Sequence, residues 1–231
     1  MHSAAALAFA HDGANPMANS APRHLHPHLH WPPALALIAA GFAYALITDD
    51  LRLGPPWLLP VLIVTLLVPL TLARRHGQEL LTRRLGVALA SVATVAVGGS
   101  VAILVVSLLQ GTGMPPKDLL RNAALLWLSN VVVFALWYWE IDGGGPVQRH
   151  RGGYVPTDLL FPQTQQGGEL ARCWTPVFVD YLFVAFTTSS AFSPTDTLPL
   201  SQRAKLLMMG QALASIVILA VLAARAINTL Q

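Results

Sequence analysis

Charge is the first thing this chain of 231 residues is short of. Asp, Glu, Lys and Arg make up 11% of it and hydrophobic residues 54%, whereas soluble domains carry about 25% charged residues. The shortage excludes an ordinary soluble domain and makes lipid the solvent for most of the polypeptide. Cysteine is nearly absent. Cys173 stands alone, which excludes an internal disulfide framework, and beside Trp174 it reads as inert packing. Also missing are a paired nucleophile and base, a cluster of metal ligands within the apolar part, and a phosphate cradle. His76 and His150 fall in loops, so no histidine stands ready to activate the serines and threonines. No catalytic residue, cofactor or enzymatic activity is expected. The formal net charge is only +3, with the arginines gathered in loops. That pattern speaks of membrane topology and not of a nucleic-acid partner. Residues 1–30 lack the basic start and long apolar run of a signal peptide. They read as a disordered His/Pro-rich tail, and Met17 offers an alternative start.

What the chain does have is long apolar runs. A helix spans a bilayer with roughly 20 such residues, and the runs 32–48, 56–73, 85–109 and 119–139 approach or exceed that length. Pro60 and Pro69 remove backbone donors and should bend the second. A fifth run, 175–192, contains an acid, Asp180, and a last helix is predicted over 201–228 with Ser201 as its N-cap. The expected fold class is all-α, a multi-pass transmembrane bundle. Its parts are the tail 1–30, a four-helix transmembrane part 31–142, a polar surface loop 143–174, and a helix-loop-helix 175–231. With the N-terminus cytoplasmic, Arg74, Arg75, Arg83, Arg84, Arg149, Arg151 and Arg172 lie inside, and Arg52, Lys117 and Arg121 outside. The stretch RRHGQELLTRR reads as a solvated basic loop facing the lipid surface.

Several residues stand out against the apolar background. Gly86, Ala90, Thr94 and Gly98 recur every fourth position, a small-residue stripe that lets another helix approach closely. Asn130 sits mid-membrane and needs a partner, which an interhelical hydrogen bond would supply. It shares a helix face with Trp127, Phe134 and Trp137. The segment WYWEID reads as an interfacial aromatic belt, with Glu140 and Asp142 as solvated acids and a cation entrance as the alternative. In HLHPHLH, His24, His26, His28 and His30 share one face of an extended chain, so they are weak metal-ligand candidates. Asp180 reads as an interfacial salt bridge to Arg172 or Arg225 or as a helix N-terminal charge, with a proton or cation site as the alternative.

The stretch DYLFVAFTTSSAFSPTDTLPLSQRAKLL resembles the pore region of two-helix potassium channels. Asp180 to Ser190 matches the pore helix, Asp196 and Pro199 match the acid and proline after the filter, and 201–228 matches the inner helix. The resemblance implies a polar site of Asp180, Thr187, Thr188, Ser189, Ser190, Thr195 and Asp196. SSAFSPTD departs from the family's filter, because it has no glycine to aim carbonyls at an ion. Over nearly the whole chain, DDLRLGPPWLLP, NVVVFALWYWEIDGGGP, DLLFPQ and TTSSAFSPTDTLPLSQRAKLLMM look like a family of uncharacterised bacterial integral membrane proteins. That likeness implies an inner-membrane bundle and no particular reaction.

Length leaves two topologies. Asp180 to Ser190 reaches about 16 Å as a helix, half a bilayer, while Thr175 to Phe192 reaches about 27 Å and nearly spans. Five crossings plus a re-entrant half-helix is the preferred arrangement and six crossings the alternative. The expected function is a channel-like homo-oligomer passing a monovalent cation through a constriction at 187–196. The alternative is a non-conducting membrane scaffold or assembly protein.

Overall fold

The computed structural model describes residues 31–110, 115–150, 157–167, 174–190 and 196–228, without the side chains of residues 31, 150 and 225–228. His24, His26, His28, His30, Arg172 and Thr195 therefore lie outside the described residues, as does the side chain of Arg225. Among those described, the chain forms eight α-helices: α1 (Trp31–Ala45), α2 (Leu58–Arg75), α3 (Glu79–Leu109), α4 (Pro116–Ile141), α5 (Pro146–His150), α6 (Pro162–Gln165), α7 (Phe178–Ser190) and α8 (Gln202–Asn228). By length and composition α2, α3, α4 and α8 are candidate membrane spans, and α1 is a shorter apolar helix. The helix starts follow local chemistry. Pro116 sits in the first turn of α4, where its missing N–H goes unneeded. The Ser201 hydroxyl accepts the Ala204 N–H at 3.2 Å and caps α8.

α4 is the hub and packs against α1, α3, α7 and α8. Ala123, Leu126, Ala135, Tyr138 and Trp139 along it are all 0% exposed, so α4 is enclosed by protein on most sides. α3 turns Gly86, Ala90, Ala93, Val97 and Leu104 inward. The small-residue stripe holds only in part, since Gly98 is exposed. Each step of four residues overshoots a turn by about 40°, so three steps carry Gly98 well away from the face of Gly86. Its neighbour Gly99 makes the close approach instead, because an added Cβ there would collide with the Leu53 side chain.

α7 has 13 residues and extends about 20 Å. It starts beside the carboxyl end of α4, where Phe178 and Tyr181 meet Trp139 edge-on at 6.0 and 5.5 Å between ring centroids. It ends about halfway along α4. There Phe186 packs on Trp127 at 5.6 Å, and the Trp127 indole N–H donates to the Ser189 carbonyl at 3.4 Å. By Leu198 the chain is back at the starting end. Strand β1 (Leu159–Leu160) pairs antiparallel with β2 (Leu198–Pro199), and the Leu200 N–H donates to the Asp158 carbonyl at 2.8 Å. α8 then starts from that same end. The strand pair corrects the expectation that 143–174 is simply a surface loop, because Asp158, Leu159 and Phe161 within it are buried.

Candidate functional site

The residues at the tip of α7 meet a buried polar network built from α4 and α8. Gln211 on α8 is 0% exposed. Its amide N–H groups donate to the Ala185 carbonyl at 2.6 Å and the Ser189 hydroxyl at 2.7 Å. Its side-chain oxygen accepts the Tyr138 O–H at 2.5 Å. One turn further along α8, Asn130 donates to the Ser215 hydroxyl at 3.0 Å and to the Gln211 carbonyl at 3.4 Å. In an apolar surrounding, polar groups of this kind hold together because an unmade hydrogen bond there is expensive. The network therefore fixes the depth and rotation of α7 against two long helices.

The remaining hydroxyls at the tip turn back into their own helix. Thr187 donates to the Phe183 and Val184 carbonyls at 2.8 and 3.0 Å, Thr188 to Val184 at 2.8 Å, and Ser190 to Thr187 at 3.2 Å. Serine and threonine in helices often bond the preceding turn in this way. Asp196 is exposed, and its carbonyl accepts from the Gln165 side chain at 3.4 Å. Asp180 accepts the Val177 N–H at 2.7 Å. It closes the first turn of α7 from inside, as the acidic member of a capping box does.

The two ends of this hairpin are tied down by acids. At the start, Asp142 accepts the Tyr181 O–H at 2.6 Å and, through its other oxygen, the N–H groups of Asp158 and Leu159 at 2.8 and 3.1 Å. Arg149 lies over the rings of Trp139 and Tyr181, at 4.7 and 5.1 Å from their centroids. It also donates to the carbonyls of Trp139 and Asp142. At the end, Asp158 takes a two-pronged contact from Arg203 at 2.6 and 2.7 Å.

The expectation of solvated interfacial acids fails for both Glu140 and Asp142, which are 6% and 1% exposed. Asp142 is buried because the turn after α4 folds over it. Glu140 is buried because α3 offers a hole in the shape of a glycine: a Cβ on Gly86 would stand 2.6 to 2.7 Å from all three atoms of the carboxylate. Arg74 faces Glu140 at 3.6 Å. Gly86 thus lies directly against Glu140 of α4, and Ala90, one turn on, is buried. Thr94 ties α3 to α4 by accepting the Trp137 indole N–H at 2.8 Å.

Sequence reasoning singled out Asn130 but missed Gln211, Tyr138, Ser215 and the Asp158–Arg203 contact. The rule that flagged Asn130, a lone amide in an apolar run, applies equally to Gln211. Nothing local marks Asp158. Compared with protein-family models, with curated proteins and with solved structures, the chain matches none.

Proposed function

We propose that this chain is a multi-pass protein of the bacterial inner membrane, with a cytoplasmic N-terminus, five crossings and a re-entrant half-helix. In this proposal copies assemble into a channel-like homo-oligomer that passes a monovalent cation along residues 187–196. The observation that carries it is the placement of α7: its start and the beginning of α8 are both tied to the carboxyl end of α4, by Asp142–Tyr181 and Asp158–Arg203. Further support comes from charge, because Arg74, Arg75, Arg83, Arg84 and Arg149 belong to that same end and positive residues favour the cytoplasmic side. The carboxyl end of α7 carries the negative pole of its dipole to mid-depth, which favours a cation. The order of half-helix, hydroxyls, acid and long helix is that of the potassium-channel pore module it resembles. The outward faces of α7 and α8, with Phe183 63% and Met209 60% exposed, supply apolar surface for contacts between copies.

The scaffold reading draws on a different observation. The hydroxyls of Thr187, Thr188 and Ser190 bond their own helix and that of Ser189 accepts from Gln211, so the tip has the bonding of a structural plug. Cation flux into proteoliposomes separates the two. The channel proposal expects a flux above that of empty vesicles that Asp196→Ala alters, since Asp196 is exposed and its loss spares the fold. No flux across a range of voltage and pH leaves the scaffold. Topology is tested separately: Leu230→Cys in a Cys173→Ser background labels from the periplasmic side with five crossings and from the cytoplasmic side with six.

A further inference from the structure

Glu140 stands between two hollows. One is a small cleft of about 170 Å³ at the surface, lined by Arg83, Gly145 and Gln148 among others. The other is a partly open chamber of about 530 Å³ between α1, α2, α3 and α4, walled by Leu37, Leu70, Leu89 and Leu136, with Arg74, Arg75 and Glu140 at one end. That is a volume in the range of small-molecule sites, roughly 300–1,000 Å³. Its charge is unbalanced, since two guanidinium groups face one carboxylate. The Arg74–Glu140 separation of 3.6 Å is longer than a hydrogen bond, and among the described residues the buried Arg74 Nε has no hydrogen-bond partner. No hydrogen bond among the described residues reaches the Glu140 carboxylate, although the residue is only 6% exposed. A charge pair this loosely joined, with the Arg74 Nε unused, has a donor to offer a third party. Thr71 and Arg75, at the rim on α2, are exposed, so the chamber is reachable from the side of the bundle.

We propose that this chamber holds an anionic phospholipid, its phosphate on the Arg74 fork and its acyl chain along the leucine walls. Guanidinium matches phosphate with two parallel hydrogen bonds. The chemistry is stacked as in a lipid leaflet, with Arg74 and Arg75 in the last turn of α2 and the apolar wall deeper along it. The excess positive charge selects an anionic over a zwitterionic head. Glu140 opposes the phosphate: it holds Arg74 in place when the chamber is empty and competes for it when lipid arrives.

The test is lipid retention by delipidated, purified protein re-equilibrated with phosphatidylglycerol, phosphatidylcholine or soluble glycerol phosphate, read by mass spectrometry. Phosphatidylglycerol should be held roughly tenfold better than phosphatidylcholine, the span of one charge-assisted contact, and glycerol phosphate should bind negligibly. Arg74→Gln should remove most of that preference, and Glu140→Gln should strengthen retention several-fold, an increase no misfolded variant would give. Leu67→Trp, which fills the chamber, should block retention, and Arg84→Gln, exposed and outside it, should leave retention unchanged. Equal retention of the two lipids overturns the proposal. So does a loss with Arg84→Gln as large as with Arg74→Gln, glycerol phosphate binding as well as lipid, or a Glu140→Gln variant that holds no more lipid than the natural chain.

Discussion

Replacing Gly86 by alanine puts one methyl group against a buried charge. In an open helix interior the exchange would stabilise by about 0.8–1 kcal/mol, because glycine is the poorer helix former. Here the new Cβ would lie 2.6 Å from the carboxyl carbon of Glu140 and 2.7 Å from each oxygen. Glu140 is 6% exposed, and its carboxylate can make room only by swinging into one of the two hollows beside it, away from its place opposite Arg74. Overpacking of this kind costs about 1–3 kcal/mol, so Gly86→Ala should destabilise by a net of up to ~2 kcal/mol. Unfolding of the detergent-solubilised protein should shift down by roughly 2–4 °C per kcal/mol for a chain of this size. The double mutant sharpens the test. With Glu140→Ala the obstacle is gone, and Gly86→Ala should then stabilise, by up to about 1 kcal/mol. The effect of one methyl group must change sign between the two backgrounds. If Gly86→Ala stabilises the natural chain, or acts with the same sign in both, Glu140 does not occupy the hollow over Gly86.

Three further outcomes follow from the hairpin. Gln211→Leu removes the acceptor of the Tyr138 O–H and the donors to the Ser189 hydroxyl and the Ala185 carbonyl, and should lower stability by about 2–4 kcal/mol in thermal unfolding; a loss below about 0.5 kcal/mol would show that the network does not hold α7. Asp142→Leu should cost about 3–5 kcal/mol, since three donors lose their acceptor, whereas Asp142→Asn should cost less than half as much because the Tyr181 hydroxyl can turn to accept. Arg203→Met leaves the Asp158 carboxylate, 3% exposed, without its fork, and should speed alkylation of a cysteine at position 196 more than it lowers global stability; unchanged labelling would mean the strand pair alone secures the return.

The long apolar runs announce α2, α3, α4 and α8, because their length and lack of charge are local properties. The placement of α7 was only partly legible. Its length left both a crossing and a hairpin open, and the contacts that favour the hairpin, of Asp142 with Tyr181 and of Asp158 with Arg203, join residues far apart along the chain. Asn130 was legible as a polar residue in need of a partner, though its partner Ser215 was not. Glu140 was misread for a physical reason: at the end of an apolar run and before GGGP it has the local look of an interfacial acid. Its burial depends on a glycine 54 positions earlier that reads as ordinary helix packing. The tip hydroxyls show the reverse limit, since composition tells that a segment is rich in hydroxyls but not that those of Thr187, Thr188 and Ser190 bend back to their own helix while that of Ser189 meets Gln211.

The reliance of α7 on α8 also constrains how the protein is made. The acceptors on Ala185 and Ser189 leave the ribosome before the Gln211 amide that holds them, with 26 and 22 positions between. During that interval the 13-residue helix has only the earlier helices, chiefly α4, to rest on. Under the proposed re-entrant topology, insertion is therefore not strictly sequential: the last helix enters the membrane before α7 reaches its final depth.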